Sequence, residues 1–235
     1  MTLFFIHGWA SNSTVWPRAF IKPTTYLYHS ECFPEYSHLD ADFCQAWSEQ
    51  AVPMTVIGWS LGGMLALQLA AAYPERIGKL ILIGSTAKFV NSGDYECGLS
   101  LSLVKNLARK LAKNPQQTQL DFYKLMFSAN EQKVLENFIS MIAPSMLNIH
   151  PDTLTIGLDY LMKTDLRSLL PSIKIPSLII HGTKDAICPI DAAYYLASHL
   201  PNSQLISLPE AGHIPFYSQL KNCLPYIMED YIAHE

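Results

Sequence analysis

The sequence predicts an α/β fold, a mostly parallel sheet of about six strands with helices on both faces, into which a helical cap is inserted. Three observations carry this reading. Short apolar runs alternate with stretches of helical spacing at both ends of the chain. An alternating βαβα order calls for parallel strands covered on both faces. Between about Thr86 and Leu170 the strand signal disappears while helical periodicity persists.

Thr2 to Ile6 is an apolar run ending at His7-Gly8, and Thr24 to Tyr28 is a second, β-branched and aromatic, placed after a proline; both read as buried strands. Asp42 to Gln50 has helical spacing and Met54 to Ile57 is another strand. Leu61 to Tyr73 is an Ala- and Leu-rich helix that Pro74 stops. Lys79 to Ile83 is a further strand, after which the helical segment begins, broken by several Pro and Gly residues. It returns to the sheet through Pro171 and Pro176. Ser177 to His181 and Gln204 to Leu208 then read as strands, with Ile190 to His199 and Gln219 to Ile232 as helices. Residues 1–85 and 171–235 are therefore expected to form the core and residues 86–170 the cap, together one functional unit.

At 235 residues the chain is long enough for one α/β domain with a sizeable core. Apolar residues make up 49% and charged residues 15%, which is a globular composition and neither a disordered nor a coiled-coil one. A net charge of -4 gives no general reason to expect a nucleic-acid partner. Cys32, Cys44, Cys97, Cys188 and Cys223 are scattered, without the pattern of a disulfide framework or a zinc site, which suits a reducing cytoplasm. The first residues lack a basic segment and cleavage site, and the longest apolar stretch, Met64 to Tyr73, is interrupted by Gln68 and too short to span a bilayer. The expectation is a soluble cytoplasmic monomer with no metal, no cofactor, no nucleic acid and no membrane.

Gly58-Trp59-Ser60-Leu61-Gly62 follows a predicted strand and opens a predicted helix. A sharp strand-to-helix turn lifts the serine above the sheet, and small residues on either side let neighbouring backbones pass without Cβ clashes. The turn also puts Ser60 at a helix N-terminus, where the backbone N–H of Leu61 and the helix dipole favour a developing oxyanion. The plainer reading is a Gly/Ser turn; a chance match to this pattern has a probability on the order of a few per cent. A serine needs a base, and an acid followed by a histidine must come later in the chain. Asp185, in the turn after strand Ser177 to His181, and His213, in Glu210-Ala211-Gly212-His213 after the next strand, fill both places. Each lies beyond the carboxyl end of a strand, where parallel sheets hold their ligands.

Separately, an Asp in a turn and a His after a Gly are ordinary loop residues; three such coincidences in the required order favour the catalytic reading. Asp159 and Asp165 fall in the cap and Asp191 beside a helix. His7 and His181 end strands, His199 sits late in a helix, and neither His29 nor His38 has the downstream position. The second oxyanion donor is assigned to the backbone N–H of Trp9 in His7-Gly8-Trp9. Its indole either walls the acyl pocket or is ordinary packing.

His7-Gly8-Trp9, Gly58-Trp59-Ser60-Leu61-Gly62-Gly63, Asp185 and Gly212-His213 together resemble the α/β-hydrolase superfamily. With the segment Gly157 to Arg167 and the Trp after each Gly, the chain is similar to the biotin-pathway carboxylesterases that demethylate pimeloyl-[acyl-carrier protein] methyl ester. The resemblance spans most of the chain and implies a serine carboxylesterase that forms a pimeloyl-enzyme on Ser60 and whose partner is an acyl-carrier protein. It further implies that Trp9, Ser60, Leu61, Phe122, Met126 and His213 bind substrate.

Carrier proteins of this type are acidic. In Leu99 to Asn114, Lys105, Arg109 and Lys113 recur at i+4 with Lys110 beside them, and Leu103, Leu107 and Leu111 lie opposite. This is either a docking face or a solvated one. The arginines of the family's cap are not matched, Gln117 and Asp121 standing in those places; the leading hairpin is missing, and Tyr28 to Tyr36 replaces the common Asp-x-x-Gly-x-Gly loop. Two other functions stay open: a general short-chain carboxylesterase or acyl thioesterase, and a non-catalytic ligand-binding protein on the same scaffold.

Overall fold

The computed structural model describes residues 2–21, 25–27, 47, 49 and 52–232. Six parallel strands form one sheet: β1 (Thr2–Ile6), β2 (Thr25–Leu27), β3 (Met54–Trp59), β4 (Ile77–Ile83), β5 (Ser177–Gly182) and β6 (Ser203–Leu208), in the order β2-β1-β3-β4-β5-β6. The central strands are apolar throughout because both of their faces are covered; every residue of β3 and β5 is buried. The alternation of side chains across β1 shows the two layers directly. Phe4 meets Trp47 edge-on at 5.3 Å, whereas Phe5 packs against Trp16 and Phe20 at 4.9 and 5.9 Å.

On the Trp47 side lies α1 (Leu61–Ala72), whose sequence LGGMLALQLAAA is apolar almost all round and is buried accordingly. It is joined there by the 3₁₀ helix Arg167–Ser172 and by α6 (Ile190–His199) against β5 and β6. The other side carries the short helix α7 (Pro215–Ser218) and α8 (Leu220–Ile232), with Phe216 against Trp16 and Trp59. Most of the expected helix over Asp42 to Gln50, and the loop Tyr28 to Tyr36, lie outside the described residues; Trp47 and Glu49 are helical.

β4 and β5 are neighbours in the sheet although residues 84–176 separate them. That interval holds α2 (Leu101–Lys113), α3 (Pro115–Leu125), α4 (Gln132–Met141) and α5 (Pro151–Lys163), with only isolated bridges and no strand among the described residues. Its two ends meet: Leu166 N–H donates to Ala87 O at 2.9 Å, and the Lys88 ammonium pairs with Asp165 at 3.0 Å. Its body sits over the β1 loop, where Tyr123 donates its hydroxyl to Ala10 O at 2.7 Å and Asn12 donates to Ser145 O at 2.9 Å.

Leu103 does not lie on the packed face of α2; it is 60% exposed, and the buried residues of the helix are Val104 and Leu111. The packed row runs along positions 104, 108 and 111, and Leu103 stands one step of about 100° to its side. No described helix is long and apolar enough to cross a membrane.

Candidate active site

Chain order runs from β1 outward to β2 and then back past β1 to β3, so the connections leave the carboxyl ends of β1 and β3 in opposite directions and open a crevice between them. Ser60 sits at that point, between β3 and α1, with φ 57° and ψ -123°. A non-glycine residue in this region is strained, and the strain is held by its surroundings. Ser60 N–H donates to Ile83 O at 2.9 Å, and its carbonyl accepts from the Ser85 hydroxyl at 2.8 Å. The glycines of the turn are there for close approach: a Cβ on Gly62 would run into the Ile6 and His7 carbonyls, and one on Gly58 would lie 2.5 Å from Gly62 O.

The structure brings the three sequence-selected side chains into one row. His213 Nε2 is 2.9 Å from Ser60 Oγ, and His213 Nδ1 is 2.7 Å from Asp185 Oδ2. The arrangement in which Nδ1–H donates to the carboxylate and Nε2 accepts the serine hydroxyl satisfies both contacts. All three residues are buried, Ser60 retaining 7% exposure. Asp185 Oδ1 accepts the backbone N–H groups of Ile187 and Cys188, each at 2.8 Å, so the carboxylate cannot turn. Burial alone would raise its pKa, but the imidazoles of His213 and His181 outweigh this and hold it below the usual carboxylate range.

Sequence reasoning missed two contacts of this site. His181, set aside as the end of a strand, is fully buried with Nε2 3.3 Å from Asp185 Oδ2 and 2.8 Å from Cys188 O. Trp59, the variable residue of the serine turn, donates its indole N–H to His213 O at 2.9 Å. The i, i+4 spacing of His181 and Asp185 was a usable signal; nothing local announces the Trp59 contact. The competing acids are engaged elsewhere or exposed: Asp159 with Lys163, Asp165 with Lys88 and Arg167, and Asp191 at the start of α6. His7 is buried with Nδ1 3.0 Å from Gly8 O, and His199 stacks on Tyr195; His29 and His38 lie outside the described residues. The Cys188 thiol is pushed well above its ordinary pKa, first by burial and then by Asp185, and stays protonated beside the row.

Around the nucleophile, a Cβ on Gly8 would lie 3.0 Å from Ser60 Cβ, so the Gly8-Trp9 backbone is packed against it. Trp9 and Leu61 are buried, and neither backbone N–H donates a hydrogen bond among the described residues. The Trp9 indole donates to Leu154 O at 2.8 Å and meets Phe122 edge-on at 4.6 Å, tying the β1 loop to the helical segment. Met126 is fully buried, and its carbonyl accepts His213 N–H at 2.7 Å. Lys105, Arg109, Lys110 and Lys113 are all exposed on α2. Lys110 stands with Leu103, Leu125 and Phe122 around an apolar cavity of about 340 Å³, which Ala186 and Ile187, the residues after Asp185, also line. Among the described residues no group of three or more His, Cys, Asp or Glu side chains could hold a metal ion.

Known proteins share this architecture. The family model for the alpha/beta hydrolase fold matches residues 50–219. A pimeloyl-[acyl-carrier protein] methyl ester esterase of Aromatoleum aromaticum is 30% identical, with 98% of this chain and 97% of that protein covered. The protein of the same name from Nitrosomonas europaea is 33% identical over 92% of this chain and 90% of its own length. Among solved structures, a bromoperoxidase from Bacillus anthracis superposes with a TM-score of 0.83 at 22% identity, covering 97% of this chain and 92% of that one. An esterase from Exiguobacterium antarcticum gives 0.82 at 20%, covering 97% and 91%. The last two speak for the fold alone. With a strained serine between a parallel strand and a helix, and a family match that takes in Ser60, Asp185 and His213, the chain belongs to the alpha/beta hydrolase fold family.

Proposed function

We propose that this protein is a serine carboxylesterase that hydrolyses the methyl ester of pimeloyl-[acyl-carrier protein], freeing the pimeloyl carboxylate for biotin synthesis. The observation that carries the reading is the imidazole of His213 bridging Ser60 Oγ and Asp185 Oδ2 at 2.9 and 2.7 Å. The methyl ester comes from the relatives, which carry that name at about 30% identity along nearly the whole chain.

In this mechanism His213 Nε2 takes the proton of Ser60 as Oγ attacks the ester carbonyl. Asp185, ionised and fixed by two backbone N–H groups, holds the neutral tautomer and then stabilises the imidazolium. The N–H groups of Trp9 and Leu61 receive the oxyanion, Leu61 aided by the N-terminus of α1. Collapse returns the proton to the leaving methoxide, methanol departs, and the pimeloyl-enzyme remains. Water, deprotonated by His213, then releases the free acid and restores Ser60.

Residues 86–170 serve as a cap over a core of residues 1–85 and 171–235, and Trp9, Phe122 and Met126 wall the acyl chain with Ser60, Leu61 and His213. The carrier protein, an acidic partner in the cytoplasm, docks on the cap at Lys105, Arg109, Lys110 and Lys113. The exposure of all four charges supports this placement.

The deciding experiment measures kcat/KM for methyl pimeloyl groups, free and carrier-linked, and asks whether the gene rescues a biotin auxotroph lacking its pimeloyl esterase. A marked preference for the carrier-linked methyl ester, together with rescue, is expected. Equal rates on unlinked short esters and no rescue would leave a general carboxylesterase. A Ser60 that a fluorophosphonate does not label would leave a binding protein.

A further inference from the structure

Glu131 is a carboxylate that the esterase chemistry does not use, and it is 93% buried, with 7% exposure. Its Oε2 accepts Ser128 N–H at 2.8 Å, an ordinary capping contact at the start of a 3₁₀ turn. The same oxygen also accepts Gly212 N–H at 3.0 Å, from the residue before His213 on the other side of the molecule's sequence. Oε1 has no hydrogen-bond partner. A carboxylate buried in this way loses hydration that two N–H donors only partly replace, so a role other than stability is indicated.

The neighbouring contacts join the same two pieces of chain. His213 N–H donates to Met126 O at 2.7 Å, the Ser128 hydroxyl to Glu210 O at 2.6 Å, and the Asn130 amide to Glu210 Oε2 at 2.7 Å. Glu210 itself has φ 60°, a left-handed conformation that a non-glycine residue holds only when its surroundings impose it. Gly212 is pressed so close that a Cβ there would meet Met126 O and lie 2.9 Å from Ser128 N. On the core side, the Trp59 indole N–H on His213 O and the Asp185 carboxylate on Nδ1 hold the same residue. The loop that carries the imidazole is therefore fastened on one side by the sheet and on the other by residues 126–131 of the helical segment.

We propose that Glu131 is a positioning residue for His213: through Gly212 its carboxylate sets the reach of the imidazole to Ser60, so the helical segment completes the triad as well as covering it. A carrier-linked ester that shifts this segment then shifts the base with it. The proposal rests on the catalytic reading of Ser60 and His213. Displacing a catalytic group by about 1 Å lowers rate about 100-fold without changing how the ground state binds.

The test compares the wild-type protein with Glu131→Ala, Glu131→Gln, Glu131→Asp, Ser128→Ala and Ser60→Ala, using a small p-nitrophenyl ester, the rate of fluorophosphonate labelling, and thermal unfolding. Glu131→Ala is expected to lower kcat and labelling rate about 10- to 100-fold with KM within about twofold, well below its own unfolding temperature. Glu131→Gln keeps one carbonyl oxygen for both N–H groups and is expected to recover to within about threefold of wild type. A folded Glu131→Ala protein with wild-type kcat, or a Gln variant as slow as Ala, would overturn the proposal. If Glu131→Ala does not fold, Glu131→Asp, whose carboxylate stops a methylene short of Gly212 N–H, is expected to lower kcat severalfold at constant KM, more than Ser128→Ala, which loses the hydroxyl bond to Glu210 but keeps Glu131 on Gly212; an Asp variant with wild-type kcat overturns the proposal equally. Ser60→Ala that still turns over ester would instead sink the triad reading on which all of this stands.

Discussion

Replacing Asp185 with Asn exchanges one oxygen for an amide group of nearly the same size, and the surrounding donors dictate where it goes. Oδ1 accepts two backbone N–H groups at 2.8 Å, from Ile187 and Cys188, and an NH₂ group placed there would face two donors. The amide nitrogen must therefore take the place of Oδ2, 2.7 Å from His213 Nδ1 and 3.3 Å from His181 Nε2. There it donates, so His213 Nδ1 must accept and its proton moves to Nε2, the atom that should take the proton from Ser60. The nucleophile is left in place without a base. For a triad disabled through its tautomer the loss in kcat is about 10⁴-fold, or about 5.4 kcal/mol at 1.36 kcal/mol per decade. Hydrolysis of a chromogenic ester by Asp185→Asn, with KM measured separately and folding checked by circular dichroism, gives the number. A folded variant within about tenfold of wild type would refute the tautomer argument.

Four further outcomes follow from the geometry. Trp9→Phe keeps the ring contact with Phe122 and the backbone donor but leaves Leu154 O without its indole N–H. It should lower stability by about 1–3 kcal/mol in urea titration while changing kcat less than about tenfold. Gly62→Ala pushes a methyl group into the Ile6 and His7 carbonyls, and an unfolding midpoint lowered by an amount equivalent to about 1–3 kcal/mol or more is expected. Asp165 and Asp94 are held below the usual carboxylate range, Asp165 chiefly by its hydrogen bond from Arg167 and Asp94 first by Ser92 and then by Arg167. Because the folded pKa is the lower one, their stabilisation is complete above the unfolded value near 3.9 and fades as pH falls below it. The stability gap between wild type and Arg167→Met, read from urea midpoints, should accordingly narrow from pH 5 to pH 2. Reversing Lys105, Arg109 and Lys113 to Glu should raise KM for a carrier-linked ester about tenfold at low salt and leave a small ester untouched.

Much of the fold was legible because the central strands are covered on both sides, so β3 and β5 stand out as continuous apolar runs. Strand limits were less so. β4 begins at Ile77, two residues before the predicted start, since Ile77 pairs with Met54 and the register shifts past Gly78 before Lys79 meets Thr55. Around the candidate site, the glycines at 58 and 62 announced the serine turn because only they fit beneath the neighbouring carbonyls. Asp185 and His213 were marked by their place after strands. Contacts made across the fold, such as the Trp59 indole on His213 O or the Glu131 carboxylate on Gly212 N–H, leave no pattern in a linear sequence.

The joined ends of the segment between β4 and β5 have a wider consequence. Since Ala87 and Leu166 are hydrogen-bonded and Lys88 and Asp165 paired, the sheet meets this long excursion between parallel strands as if it were a much shorter crossover. Loop-closure entropy is then set at the neck and grows only slowly with what hangs beyond it. Such a neck lets the helical segment be lengthened, shortened or rewritten while the strands beneath keep their register.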